Sequence, residues 1–230
     1  MTRPRTRLPA YVSAVALTTI DLTAVLRPKQ ASSCLDHLHL AGAGVLAHRV
    51  RPDGSLSFSL GAVAASAGAG EAKVADWLED ELAIGGLVTA YGLYGSALPL
   101  IRSVTVPGRH LDLAALTVID TRRLHDLTER VSGGAPVTFE RACARAGIAV
   151  IATDSKREQS WWATGNTPAL IAVLGNRAIA TWRLWLEQHV AASGDIELGR
   201  RSLAEFERWR ARHPLPTTDA LGRPLPVVAG

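Results

Sequence analysis

The stretch from Tyr11 to Ile20 restricts the fold more than any other segment, because it is apolar on both faces of a potential strand. It reads Tyr-Val-Ser-Ala-Val-Ala-Leu-Thr-Thr-Ile and is rich in β-branched residues. Such a run is typical of a strand covered on both sides, in the middle of a sheet that carries further layers. Apolar residues make up 47% of the 230-residue chain, which is enough to build those layers and excludes wholesale disorder.

The segments that follow predict a pair of antiparallel strands and then a series of helices. Residues 38–50 and 55–63 both favour strands, and the short Arg51–Gly54 turn between them should pair them with each other. Further predicted helices cover 71–84, 97–104, 121–131, 136–147, 167–190 and 200–212, and further predicted strands cover 87–91 and 113–120. Thr167 is the expected N-cap of the longest helix, with Pro168 in its first turn.

This order of elements predicts an α/β fold, a ribonuclease H-like mixed β-sheet with flanking helices. Three antiparallel strands lead into strand–helix units, which favour one central sheet. We expect a single domain of this type over residues 10–192. Around it the sequence suggests a basic N-terminal arm over 1–9, a C-terminal amphipathic helix over 193–213 and a Pro-rich tail over 214–230.

The composition favours a cytoplasmic protein that does not enter a membrane. No apolar run reaches the ~18 residues that a membrane span requires. Pro4, Pro9 and Asp21 interrupt the basic-then-apolar start of the chain, which therefore predicts a short arm and a buried strand rather than a signal peptide. The two cysteines, Cys34 and Cys143, do not make a disulfide framework.

The formal charge of +4 is concentrated near the two ends of the sequence. Residues 1–7 contribute +3 and residues 200–212 another +3, whereas residues 8–199 carry −2. A basic balance indicates nucleic acid only when the charge forms a patch or a face. The near-neutral body therefore weakens the case for a strongly basic binding protein, and a solvated helix face is the alternative for 200–212.

Three segments carry a resemblance to a nuclease family. The first strand ends in Ile20-Asp21-Leu22-Thr23, a later strand leads into Tyr91-Gly92-Leu93-Tyr94-Gly95-Ser96-Ala97-Leu98-Pro99, and the long helix contains Val173-Leu174-Gly175-Asn176-Arg177. In these frames the chain resembles the DEDD-type 3′–5′ exonucleases, especially the predicted exonucleases related to the proofreading domain of family B polymerases. The corresponding family motifs are Asp-x-Glu, Asn-Gly-x-x-Phe-Asp-Leu-Pro, and a Tyr followed four residues later by Asp. The resemblance covers roughly residues 11–190 and includes Lys156–Trp162.

The resemblance implies a two-metal site, but most of its carboxylates are replaced in this chain. In that mechanism four carboxylates hold two Mg²⁺ ions ~3.5–4 Å apart. At the matching positions the chain keeps Asp21, whereas Thr23, Ala97 and Arg177 replace the other three acids. Val173 stands where the family has the Tyr that orients water. Asp21 is thus the one catalytic or metal-binding residue that the resemblance retains.

Arg177 is the replacement least compatible with a metal centre. Its cation would stand where the resemblance implies a metal ion, and at ~4 Å even a partly screened like-charge repulsion reaches several kcal/mol. No acid occurs within 82–111 or 164–186, so shifting the alignment does not restore a ligand. We therefore expect no resident cofactor, with Mg²⁺ or Mn²⁺ bound through Asp21 only if the protein is active.

Four further residues are candidates for contact with nucleic acid. Arg122 and Arg123 follow a predicted strand, and in this fold the carboxyl ends of such strands face the site. Trp161 and Trp162 are adjacent, so one of them should be exposed and able to stack on a base. The alternatives are a solvated helix start for the arginines and core or interface packing for the tryptophans.

The sequence leaves three functions open. The first is a catalytically impaired nuclease-fold protein that binds single-stranded nucleic acid or regulates a protein partner. The second is an active metal-dependent 3′–5′ exonuclease with displaced ligands. The third is a protein–protein interaction module in which the groove is vestigial.

Overall fold

A five-stranded sheet forms the centre of the protein. The computed structural model describes residues 8–21, 38–66, 70–82, 86–118, 123–128, 134–215 and 227–228. The strands are β1 (Tyr11–Asp21), β2 (Leu38–Val50), β3 (Leu56–Ala64), β4 (Leu87–Ala90) and β5 (Leu124–Asp126). Their order across the sheet is β3-β2-β1-β4-β5, which places β1 at the centre, as its two apolar faces require.

The sheet mixes the two kinds of strand pairing. β1 pairs antiparallel with β2, and β2 pairs antiparallel with β3. On the other side β4 lies parallel to β1, and β5 lies parallel to β4. The predicted fold class, an α/β ribonuclease H-like mixed sheet with flanking helices, is confirmed.

Helices cover both faces of this sheet. In the described part of the chain they are α1 (Ala72–Leu82), α2 (Leu98–Val104), α3 (Leu111–Val118), α4 (Phe139–Arg145), α5 (Ser155–Ala163), α6 (Thr167–Ser193) and α7 (Ile196–Arg212). Two short strands, β6 (Val150–Ile151) and β7 (Val227–Val228), pair antiparallel apart from the main sheet. None of the helices in the described ranges is both long enough and apolar enough to span a bilayer.

The alternation of side chains along β1 divides the core into two. Ala14 and Ala16 face a cluster built with α4, α6 and α7, whereas Val15 and Leu17 face a cluster built with α1, α2 and α3. Trp182 and Trp185 of α6 are almost fully buried in the first cluster, which confirms the prediction that they belong to the core.

Two of the predicted elements are wrong. The sequence favours a strand over 113–120, but Leu111–Val118 is helix α3, whose first N–H groups at Asp112 and Leu113 donate to the Glu79 carboxylate on α1. This cap from a neighbouring helix overrides the strand preference of the sequence. Within the predicted helix 121–131, Leu124–Asp126 is instead strand β5, because it completes the sheet beside β4.

The ends of several elements also differ from the prediction. The N-cap of α6 is Asn166 rather than Thr167, since the Asn166 side chain accepts a hydrogen bond from the N–H of Ala169. Helix α7 begins earlier than expected, at Ile196, with Asp195 as its N-cap. The tail expected to be irregular from residue 214 includes strand β7.

Candidate functional site

A cleft of about 220 Å³ opens beside the carboxyl end of β4 and the second half of β1. Open α/β sheets commonly bind ligands in such a position, outside the carboxyl ends of parallel strands. Apolar and aromatic side chains make up most of the wall, and the other five lining residues are polar or charged. The lining residues are Val15, Ala16, Leu17, Thr19, Ala90, Tyr91, Ser96, Ala97, Leu100, Phe139, Glu140, Arg177 and Thr181.

A π-helical segment, Leu93–Ala97, brings Ser96 and Ala97 to the cleft. It begins after Gly92, whose φ of 72° is a left-handed conformation that favours glycine. The N–H of Ala97 donates to the Gly92 carbonyl at 3.1 Å, an i→i+5 bond.

Asp126, at the end of β5, fixes the π-helical segment from outside. Its carboxylate accepts from the N–H of Tyr94 at 3.0 Å and from the N–H and hydroxyl of Thr128. Burial alone would raise the pKa of Asp126, but the hydrogen bonds from Thr128 and from Tyr94 and Leu93 outweigh it and lower that pKa. Asp126 is thus a charged anchor for the loop that presents Ala97.

A buried ion pair lies against the other wall of the cleft. The Glu158 carboxylate on α5 contacts Arg177 on α6, with Oε1 at 2.7 Å from Nη2, and the same carboxylate accepts a hydrogen bond from the Thr18 hydroxyl on β1. The Glu158 side chain is 5% exposed and that of Arg177 is 18% exposed. Glu158 therefore neutralises Arg177 within the protein.

The predicted site residues divide into those at the cleft and those elsewhere. Ala97 and Arg177 both line the cleft. Val173, one turn before Arg177 on α6, is buried in a small core cluster. Asp21 is the last residue of β1, where its backbone pairs with Leu38. The Asp21 side chain and Thr23 lie outside the described residues, so their convergence on the cleft stays a prediction.

The candidate nucleic-acid contacts do not line this cleft where the structure describes them. Arg123 donates from Nε to the carbonyl of Gly86 at 3.2 Å, and Arg122 lies outside the described residues. Trp161 is buried, and the Arg157 guanidinium stands 5.6 Å from the centre of its ring. Trp162 is half-buried against His39, with the two ring centres 5.6 Å apart. Neither tryptophan is freely exposed, which limits the surface either offers to a base.

Sequence reasoning missed Thr18 and Glu158. Glu158 lies in the Lys156–Trp162 segment that resembles the family's approach to the long helix, but nothing in its spacing points to Arg177. The absence of any acid within 164–186 was a usable signal, because a poorly exposed arginine needs a carboxylate from another element.

Within the described segments, the donor set at this cleft does not fit a two-metal centre, since Glu140 is the single carboxylate among the lining residues. Of the matched positions, Ala97 offers no ligand and Arg177 places a cation there, while the nearby Glu158 carboxylate is already bonded to Arg177 and Thr18. Among the side chains that the structure describes, no three His, Cys, Asp or Glu residues come together as a metal ion would require. We therefore assign no step at this cleft to a metal.

Comparisons with known proteins add no family or relative. No protein-family model matches the chain, and no curated protein matches it.

Proposed function

We propose that this protein is a nuclease-fold protein without hydrolytic activity, whose cleft binds the terminal base of a nucleic-acid strand instead of cleaving the strand. The observation that carries this proposal is Arg177. It lies beside Ala97 in the cleft, paired with Glu158, at a position where the resemblance implies a metal-binding carboxylate.

The ion pair favours a neutral ligand in the cleft. A free arginine would attract a phosphate, but the positive charge of Arg177 is offset by Glu158 at 2.7 Å. Glu140, which also lines the cleft, adds a negative charge that disfavours a phosphate further. The polar edge of a nucleobase carries no net charge and therefore suits this environment.

The shape and composition of the cleft also suit a base. Tyr91 and Phe139 form an edge-to-face pair with ring centres 5.5 Å apart and both line the cleft, which gives an aromatic surface for stacking. Ala16, Ala90 and Ala97 keep the space beside it open. At about 220 Å³ the cleft is smaller than the ~300–1,000 Å³ of sites for whole drug-sized ligands, so it would hold part of a nucleotide rather than a long strand.

A blocked cleft tests the proposal. Ser96→Trp places a large ring at an exposed position of the cleft, and Ser103→Trp makes the same change on α2, outside the lining residues. Both serines donate their hydroxyl to a nearby backbone carbonyl, so they are matched. We expect Ser96→Trp to weaken binding of a short 3′-tailed single strand roughly tenfold, the effect of losing one stacked base, and Ser103→Trp to leave it unchanged.

The length of the same 3′-tailed single strand, followed during incubation with the protein, tests the absence of hydrolysis. We expect no shortening of the strand with Mg²⁺ or Mn²⁺ by the wild-type protein. Metal-dependent shortening that Asp21→Ala abolishes would instead establish an active exonuclease. Equal binding by the two tryptophan variants, or no binding by the wild type, would refute a base-binding cleft.

A further inference from the structure

A second groove lies at the opposite end of the sheet from the cleft. Its volume is about 560 Å³, and it is bounded by the entry into β1, the turn between β2 and β3, and the start of α7. Because β1 is an 11-residue strand, ~3.3 Å per residue places this groove roughly 30 Å from the far end of β1. The lining residues are Leu8, Ala10, Val50, Arg51, Pro52, Asp53, Gly54, Leu56, Leu198, Arg201 and Ser202.

Helix α7 continues the basic wall of this groove as a stripe of arginines. Arg201, Arg208 and Arg212 are spaced i, i+7 and i+11, which places them on one side of the helix, and all three are exposed. At ~1.5 Å per residue the stripe is about 16 Å long. Among the described residues, none of the three has an acidic group within 4 Å, whereas Arg200 on another side of α7 pairs with Glu197.

The acids nearest to the stripe and the groove are already engaged. Asp53 accepts hydrogen bonds from the hydroxyl and N–H of Ser55, which, together with the charge of Arg51, lower its pKa. Glu205, between Arg201 and Arg208 on α7, accepts from the first N–H of β3 at Leu56. Glu197, one turn before Arg201 on α7, is paired with Arg200. The groove and the stripe therefore carry four arginines, at 51, 201, 208 and 212, against Asp53 and Glu205, so their net charge is positive.

The net positive charge within residues 8–212 comes from α7. Residues 200–212 carry five arginines against two glutamates, a charge of +3, whereas residues 8–199 carry −2. Leu8 lines the groove, and Arg3, Arg5 and Arg7 precede it in the sequence.

We propose that this groove and the α7 stripe bind the phosphodiester backbone of a nucleic-acid strand. A line of unpaired arginines suits an extended polyanion better than a single small anion, because each cation neutralises a separate phosphate and releases its counterions. The apolar floor at Leu8, Val50, Leu56 and Leu198 accommodates sugars or bases between the phosphates. The proposal does not rest on the function of the cleft, because none of its residues lines the cleft.

Salt-dependent binding of a 20-nucleotide single strand, measured by fluorescence anisotropy, tests this surface. For single strands the slope of log K against log salt is about −0.7 per phosphate contact. Arg201→Glu/Arg208→Glu/Arg212→Glu should weaken binding at low salt by roughly tenfold or more and make the slope shallower by about 2, whereas the corresponding triple lysine variant should keep most of the slope.

Single substitutions on neighbouring residues supply a matched control. Arg201→Glu and Arg200→Glu change the same charge on one helix, but only Arg201 lines the groove. We expect Arg201→Glu to be the more damaging, and removal of residues 1–7 to weaken binding further. Equal effects of the two variants would overturn the proposal.

Two further measurements distinguish a nucleic-acid site at the groove from a surface for acidic proteins and from binding at the cleft. Polyglutamate of equal charge should bind much more weakly than DNA or RNA; equal binding would identify a surface for acidic proteins and overturn the proposal. Ser96→Trp should leave the salt slope unchanged if the groove acts independently. If Ser96→Trp loses the salt dependence of binding, the phosphate contacts lie at the cleft instead of the groove. If Ser96→Trp changes neither the salt slope nor the affinity, base binding at the cleft is refuted and the proposal for the groove stands.

Discussion

Arg177 shows how a single residue can redirect the chemistry of a cleft. A poorly exposed guanidinium needs a counter-ion, and here Glu158 on α5 provides it. The Thr18 hydroxyl on β1 hydrogen-bonds to both members of the pair. An arginine held in this way cannot simply be exchanged for an acid, because Glu158 would then face a like charge.

Removing one member of the Glu158–Arg177 pair should lower the free energy of unfolding more than replacing both members. Glu158→Gln leaves the Arg177 cation without its partner, and we expect the free energy of unfolding to fall by about 3 kcal/mol. Glu158→Gln/Arg177→Met, which removes both charges, should recover a large part of that loss. Urea denaturation of the two variants and of Glu207→Gln, an exposed control on α7, measures these differences. A double variant no more stable than Glu158→Gln would contradict this assignment.

At the level of single residues, the sequence singles out some of the residues at the cleft but not the ones that hold them. Ala97 and Arg177 were named from the sequence, and both line the cleft. Thr18 and Glu158 could not, since they meet Arg177 only through the packing of α5 and α6 on β1. The distance of 140 residues between Thr18 and Glu158 leaves no local pattern to read.

The packing of α6 on the sheet depends on glycines in β2. A Cβ atom built at Gly44 would lie 2.5 Å from the backbone oxygen of Leu174, and one built at Gly42 would lie 2.7 Å from a Leu174 methyl group. The absence of side chains at these positions lets α6 lie directly against β2. This close approach in turn sets the position of Arg177, one turn further along α6.

Gly44→Ala should therefore be strongly destabilising. The new methyl group would meet backbone rather than a movable side chain, so we expect a loss of about 2–3 kcal/mol in the free energy of unfolding. Gly95→Ala is the matched control, because Gly95 is exposed and a Cβ atom added there would have no neighbour within 4 Å. Thermal unfolding of the two variants tests this; a Gly44→Ala protein as stable as Gly95→Ala would show that α6 does not rest on β2 in this way.

The elements themselves were predictable where their apolar pattern is long or regular. β1, β2 and β3 follow from continuous or alternating apolar runs, and α6 follows from its length and its Pro168 start. The strand predicted over 113–120 is wrong because a short apolar run does not distinguish a strand from a buried helix. The Glu79 carboxylate that caps the helix lies on α1 and leaves no local signal in this run. β5 is too short to show any period and exists because β4 offers it an edge.

The core between the sheet and α6–α7 gives the whole molecule a pH-dependent stability. His48 of β2 is fully buried among Phe58, Trp182 and Trp185, and its Nδ1 accepts a hydrogen bond from the Trp182 indole at 2.8 Å. Burial lowers the pKa of His48 from 6.5 to about 4, against the opposing effect of the Pro9 carbonyl and with a smaller contribution from His189.

Acid should weaken the fold through His48. Its pKa is lower in the folded protein than in the unfolded chain, so the unfolded state takes up the proton first, and stability falls as the pH drops from about 6.5 to about 4. We expect His48 to account for roughly 2–3 kcal/mol of the loss between pH 7 and 4.5. Urea denaturation at both pH values, with His48→Gln and the exposed His213→Gln as comparison, measures this. A pH dependence that persists in His48→Gln would assign it to other groups.

The order of strands in the sheet has a consequence for folding of the chain during its synthesis on the ribosome. β1 can pair with β2, and β2 with β3, as soon as these strands have been made, but β4, the parallel partner of β1, ends only at residue 90. At ~5–20 residues per second, the other edge of β1 stays open for several seconds, with apolar side chains on both faces. An uncovered edge of this kind is a template for pairing with another chain. The period before β4 emerges is therefore when the nascent protein depends most on chaperones.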